Sequence, residues 1–297
     1  MPLLRSGDLV RFVSPASCVS PQAVERRMDV VRSWGLLVEV SPNAFKKFSY
    51  LAGTDDERFS DLSNALLDPS VRAVFATRGG KGSYRILHRL PFGLIGRDPK
   101  PVIGFSDITA LHLALWRECS AIGVHGALTG DDEDCLSEIA AKALRSALME
   151  DSPLSIQSDR MLPSAALTTS GSSTGPLIGG NLDMIATTAG WALPSLRGAI
   201  LLIESAGLAI GQLDRALTML GRAGHLDGLV GIAVGHVKGT PPNPPLDAID
   251  LLRQHLSGFA VPILGGLPIG HDGDARSVLI GARAELDADS GTLVQRP

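Results

Sequence analysis

The chain has 297 residues, 44% hydrophobic and 20% charged, enough to bury one large core or two ordinary ones. A net charge of −4, with no block of Lys/Arg and no interleaving of aromatic and basic residues, excludes nucleic acid from the expected partners. The run Met1 to Asp8 breaks its apolar stretch too early for a secretion signal, no segment reaches bilayer-spanning length, and Cys18, Cys119 and Cys135 lack metal-ligand spacing. The expectation is a cytoplasmic chain with no membrane partner, and with reduced cysteines serving as core filler.

In chain order, Leu9 to Ser14 reads as a strand, and Ser20-Pro21 caps a helix whose Val24, Met28 and Val31 share a face until Gly35 stops it. Leu36 to Val40 is the next strand. Thr54-Asp-Asp-Glu57 has capping-box spacing and leads a helix burying Phe59, Leu62 and Leu66, before the strand Ala73 to Thr77. The loop Arg78-Gly-Gly-Lys-Gly-Ser83 follows, then a short helix to about Leu90 and the strand Pro101 to Phe105, which passes at Ser106 into a helix ending near Cys119. The strand Ile122 to His125 and a helix from about Leu136 to Met149 complete this half. The β-α alternation predicts an α/β fold: an N-terminal parallel sheet flanked by helices in flavodoxin-like layers.

The rhythm changes at Thr168 to Gly175, a Ser/Gly/Thr stretch suited to a linker, so the expected division is 1–165, a linker at 166–175 and 176–297. Beyond it, the apolar strand Ala199 to Ile203 ends in Glu204, and a helix covers about Gln212 to Arg222. Val230 to Val234 is a strand and Leu246 to Leu256 a helix. Strand-like runs at Val261 to Leu264 and Val278 to Gly281 flank Gly270-His271-Asp272, and a hairpin turns near Asp287 to Gly291. The second half therefore reads as a β-rich, mixed α/β domain.

Active sites in parallel α/β sheets lie beyond the carboxyl ends of the strands, where Arg78-Gly-Gly and Ser106 both fall. A serine at a sharp strand-to-helix turn exposes its hydroxyl and faces the unpaired N–H groups of the helix start, which suits a nucleophile; the alternative is a serine that caps the helix. Ile108 stands where the G-x-S-x-G signature would place its second glycine. The loop 78–83 lacks the Walker spacing, so its N–H groups either complete an oxyanion hole beside Ser106 or form a plain turn, and Arg78 suits a substrate carboxylate. Glu204, at the end of the most apolar strand, needs a partner: it serves a functional site, or it has a structural role as a cap or in a salt bridge with Arg215. Six of the seven histidines, His88, His112, His125, His225, His236 and His255, read as structural; His271 stands apart in an irregular Gly-rich loop.

These landmarks resemble the LD-carboxypeptidase family of serine peptidases, which includes the microcin C self-immunity peptidases. The resemblance rests on Ser14 to Ser17, Tyr50 to Thr54, Arg78-Gly-Gly, Gly104 to Thr109, His125-Gly126, Gly179 to Leu182, Ile203-Glu204, Asp214-Arg215 and Gly270-His271, in order and spacing over nearly the whole chain. It implies a triad of Ser106 as nucleophile, His271 as base and Glu204 orienting that base, with an oxyanion hole from the backbone of Asp107 and of Gly79 or Gly80. Arg78 and Lys81 would bind substrate, and no metal or other cofactor would be needed. The implied activity is release of terminal D-alanine from murein tetrapeptide in peptidoglycan recycling, by a homodimer acting on a small peptide. Alternatives are cleavage of peptidyl adenylates, with Trp191 as a purine platform, or a non-catalytic two-lobed binding protein. Lys81 replaces a usual aromatic residue, Ala127 replaces a proline after His-Gly, and Val278 to Gly281 has lost a proline; none of these touches the triad.

Overall fold

A computed structural model describes residues 3–129, 135–238 and 246–296; Met1 and Pro2 of the opening run lie outside the described residues. The first elements form as their end signals dictate. β1 (Leu9–Val13) leads to α1 (Pro21–Ser33), where the Ser20 side chain accepts from the Ala23 N–H. β2 (Leu37–Val40) leads to α2 (Asp55–Leu67), where Thr54 and Glu57 cap each other reciprocally. After β3 (Val71–Ala76), the expected short helix is instead two 3-10 turns, 83–85 and 87–89. Gly82 with φ +124° before them and Pro91 after them leave no room for a full α-helical ladder. Then come α3 (Phe92–Ile95), β4 (Val102–Gly104), α4 (Ile108–Cys119), β5 (Gly123–His125) and α5 (Glu138–Met149).

The second half runs β6 (Leu154–Gln157), β7 (Ser172–Asn181), α6 (Leu182–Thr188), β8 (Ile200–Ala206), α7 (Ile210–Arg222) and β9 (Gly231–Lys238). It continues with α8 (Ala248–Leu256), β10 (Ile263–Leu264), β11 (Val278–Ile280), β12 (Arg283–Asp287) and β13 (Thr292–Gln295). No helix among the described residues is long and apolar enough to cross a membrane.

The strands make two sheets. The first, ordered β11-β5-β4-β3-β1-β2, is parallel except for β11. The second, β10-β9-β8-β7-β12-β13-β6, joins four parallel strands to three antiparallel ones. Helices cover both faces of the first sheet: α2 and α4 pack on one, through Leu62, Leu66, Leu111 and Leu115, and α1 and α5 on the other, through Val24, Val31, Leu144 and Leu148. The second sheet buries one face against α6, α7 and α8.

Two strands cross the expected division. β6 precedes residue 165 yet pairs with β13, and β11 lies far beyond 175 yet pairs with β5. The side chains of β11 explain its place: Leu279 packs with Leu144 and Leu148, while Val278 and Ile280 pack with Leu177, Ile200 and Leu202. The stretch 166–175 is no free linker either. After Gly171, residues Ser172 to Gly175 enter β7 and pair with Asp287 to Ala284, because their small polar side chains suit a strand with a partly exposed face. Of the cysteines, Cys119 packs against the core of the first half as expected, whereas Cys18 is only half-buried and Cys135 is exposed, so these two are not core filler.

The reciprocal cap predicts that Thr54→Ala lowers unfolding free energy by about 1 kcal/mol. Thr54→Ser should stay near wild type, with both read from urea midpoints.

Candidate active site

β4 stops at Gly104 and α4 starts at Ile108, so the chain turns within three residues. Ser106 absorbs the turn with φ +59°, a left-handed conformation that costs a residue bearing a Cβ. Hydrogen bonds from the Ile108 N–H to Phe105 O (3.1 Å) and from the Thr109 N–H to Ser106 O (3.0 Å) fix it. The helix cap is Asp107, and no side-chain capping bond is made, so the Ser106 hydroxyl is not spent as a cap. Ser106 is half-buried and reaches solvent.

The glycine loop lies directly against this elbow. A Cβ on Gly79 would stand 2.8 Å from Ser106 Cβ and 3.1 Å from Phe105 O, so only glycine permits the approach. Gly80 instead packs on Ser17, whose hydroxyl accepts from the Lys81 N–H at 3.0 Å. The loop is locked by a residue to which sequence reasoning gave only a backbone role. The buried Asp107 carboxylate accepts from the N–H groups of Gly82 (3.2 Å) and Ser83 (2.8 Å), and Ser83 Oγ donates to Asp107 O (2.9 Å). Burial pushes the Asp107 carboxyl up from its ordinary range. An aspartate beside the elbow serine, with a loop of donor-rich glycines upstream, was the available signal.

Glu204 does not end its strand: β8 continues to Ala206. It stands opposite Asn181 of β7, while on the β9 side the register slips between Ile203 and Ser205. Its side chain is fully buried, and His271 Nδ1 lies 2.7 Å from Glu204 Oε2. A carboxylate only accepts, so Nδ1 carries the proton that faces Glu204. Burial drives the Glu204 carboxyl upward, but the facing His271 outweighs it by charge and hydrogen bond and holds the group below its ordinary value. Gly270 makes the pair possible, since a Cβ there would lie 2.9 Å from Glu204 Oε2. The alternative partner Arg215 is not used; its neighbour Asp214 pairs with His255 at 2.7 Å.

Serine elbow and imidazole meet through Phe105, whose ring centroid is 4.7 Å from that of His271. A second tie joins the halves where the Asn181 N–H donates to Thr109 Oγ1 at 3.1 Å, linking the first turn of α4 to the residue opposite Glu204. The structure thus brings Ser106, Asp107, Gly79, Glu204 and His271 to one place. Arg78 stands beside it, half-buried, donating to Cys18 O at 3.3 Å and lining two clefts, one with Phe75 and Phe105 and one with Phe45 and Lys47. Lys81 is exposed. Trp191 is 40% exposed and follows the end of α6 opposite its cap Asn181, and its indole donates to Thr187 O, so it lies away from the site.

The chain also matches known proteins over most of its length. The LD-carboxypeptidase N-terminal domain matches residues 10–126 and the LD-carboxypeptidase C-terminal domain residues 174–286. A Streptomyces coelicolor relative is 35% identical over 301 residues, covering 99% of this chain and 95% of its own. The murein tetrapeptide carboxypeptidase of Pseudomonas aeruginosa is 30% identical over 94% of this chain and 93% of its own. Among solved structures, the muramoyltetrapeptide carboxypeptidase of Oxalobacter formigenes superposes with TM-score 0.85 at 26% identity, covering 97% of this chain and 99% of its own. A microcin C7 self-immunity protein in complex with aspartyl sulfamoyl adenosine reaches TM-score 0.87 at 22% identity, over 100% of this chain and 97% of its own, which shows a shared fold.

Two histidines behind the site yield a pH prediction. Burial pushes His112 down to about 3 and His125 down to about 4, so both are neutral in the folded protein at pH 7. Unfolding returns each to about 6.5. Their folded values are depressed, so the unfolded chain binds the extra protons: the stability is complete above pH 6.5 and is lost as pH falls toward 4. Urea unfolding followed from pH 7 down to about 5.5, above the range where carboxylates titrate, should show a net proton uptake, and His125→Asn should lower that uptake by about one proton.

Proposed function

The chain belongs to the LD-carboxypeptidase family and is a serine carboxypeptidase, and from that premise we propose that it releases terminal D-alanine from murein tetrapeptides at the L,D bond, as a step of cytoplasmic peptidoglycan recycling. The observation that carries this reading is the 2.7 Å hydrogen bond between His271 and the buried Glu204, set beside a strained, solvent-reaching Ser106.

In the proposed mechanism, Ser106 Oγ attacks the carbonyl carbon as His271 Nε2 takes its proton. Glu204 fixes the imidazole tautomer through Nδ1 and balances the imidazolium once it forms. The carbonyl oxygen becomes an oxyanion facing the helix start, where the Asp107 N–H takes no part in the hydrogen bonds of the turn and the Gly79 backbone lies against Ser106. Collapse breaks the C–N bond, His271 gives its proton to the leaving amine of D-alanine, and water then cleaves the acyl-enzyme by the same steps in reverse. Arg78 suits the free carboxylate of the departing residue, being a guanidinium at a cleft that also contains Gly79 and Phe105. The adenylate-cleaving reading needs an aromatic surface for the purine, and Trp191, its candidate, stands at the far end of α6.

Purified protein should release D-alanine from a murein tetrapeptide and leave an aminoacyl-sulfamoyl adenylate offered in parallel largely intact. Ser106→Ala and His271→Ala should each lower kcat/KM by about 10³-fold or more with folding preserved. Equal turnover by wild type and Ser106→Ala would overturn the assignment. A serine-directed phosphonate should label wild type and not His271→Ala, whereas a non-catalytic binding protein would be labelled in neither. Gly79→Ala, which pushes a methyl group into the elbow, should lower kcat while far-UV circular dichroism stays unchanged.

A further inference from the structure

We propose that His236, Asp272 and Asp274 form a binding site for a divalent first-row transition-metal ion, clamping the loop that carries His271 onto β9. His236 belongs to the β9 segment where the register with β8 slips. Its backbone N–H donates to Ile269 O at 2.8 Å, so it is held against the start of the His271 loop. Its side chain is only 4% exposed, yet neither ring nitrogen has a hydrogen-bond partner. A neutral imidazole always has one donor and one acceptor to satisfy, and leaving both unmet in a buried place is costly. An imidazole nitrogen of His236 and carboxylate oxygens of Asp272 and Asp274 lie within 4.8 Å of one another. A metal ion in their midst satisfies a buried nitrogen and two neighbouring negative charges together.

The ligand chemistry narrows the ion. One imidazole with two carboxylates suits Zn²⁺, Mn²⁺ or Co²⁺ better than Ca²⁺ or Mg²⁺, which prefer oxygen alone. Burial holds the His236 imidazole below its ordinary value, so at neutral pH it is in the form that binds metal. Bonds of about 2.0–2.2 Å require the three ligands to draw together by about 1 Å. Asp274 is exposed and Asp272 partly so, which leaves them free to move. Two contacts compete for Asp272 Oδ1: the Lys238 ammonium at 3.5 Å and the Gly273 N–H at 2.9 Å. The Lys238 pair is solvent-exposed and weak, and a divalent ion can replace it. In sequence the site is invisible, since His236 stands far from Asp272 and Asp274 and only the return of the loop along β9 unites them. Because Asp272 follows His271 directly, an ion here restrains the proposed base without being part of the chemistry.

The test is independent of catalysis. Full-length protein stripped with chelator is titrated with ZnCl₂ by calorimetry, and Co²⁺ is added separately to look for visible d–d absorption. The expectation is about one ion per chain, with His236→Ala and Asp274→Asn each weakening Zn²⁺ binding at least about tenfold. Zn²⁺ should also raise the melting temperature of wild type and of neither variant. Asp274 is exposed, so its variant keeps the test open if His236→Ala fails to fold. Wild type that takes up no Zn²⁺, or an Asp274→Asn variant that binds as wild type does, would overturn the proposal.

Discussion

A carboxylate removed from water must be answered by charge and by hydrogen bonds, and the second half of this protein is arranged around that requirement at Glu204. Its burial alone would cost several kcal/mol, while a charge-assisted hydrogen bond to His271 returns about 1.5–3 kcal/mol. The pair therefore does not exist to stabilise the fold. It fixes geometry: one imidazole tautomer, one ring orientation and one loop path. Gly270 gives the carboxylate room, the slipped register of β8 on β9 surrounds the glutamate, and the buried run Leu267 to Ile269 follows β9 to bring the histidine back.

The first half answers with a different brace. A left-handed Ser106 costs about 1–3 kcal/mol and persists only where its neighbours over-determine it. Asp107 does so by spending its carboxylate on the glycine loop instead of on its own helix, so that one side chain fixes both the elbow and the backbone beside it. The Asn181 N–H on Thr109 Oγ1 then sets the spacing between the two braces. Of these contacts only the Asn181–Thr109 bond crosses between the sheets, and it is backed by apolar packing, since Leu113 of α4 lies in one core with Leu182 and Ile185 of α6.

Much of this was legible in the sequence because its signals are local. Ser20 and Thr54 announce helix starts through hydroxyls that accept from the next turn, and the elbow at Ser106 follows from an apolar run meeting a helical pattern. Glu204 and His271 stood out because a carboxylate beside an apolar strand and an imidazole among glycines each need a special environment. What stayed hidden depends on where the chain returns. The short strands β6 and β11 look alike to any sheet in need of an edge; the packing of Leu279 on one core with Val278 and Ile280 on the other decides the place of β11, and Ile156 joins β6 to the core of the second sheet. The work of Asp107 was missed for the same reason, since its partners lie 24 and 25 positions upstream.

The exchange of β6 and β11 between the sheets bears on how such a protein can be inherited. A single recombination break between the two halves would pair the β6 of one parent with the β13 of the other, and the β11 of the second with the β5 of the first. At these two seams the halves must therefore diverge in step.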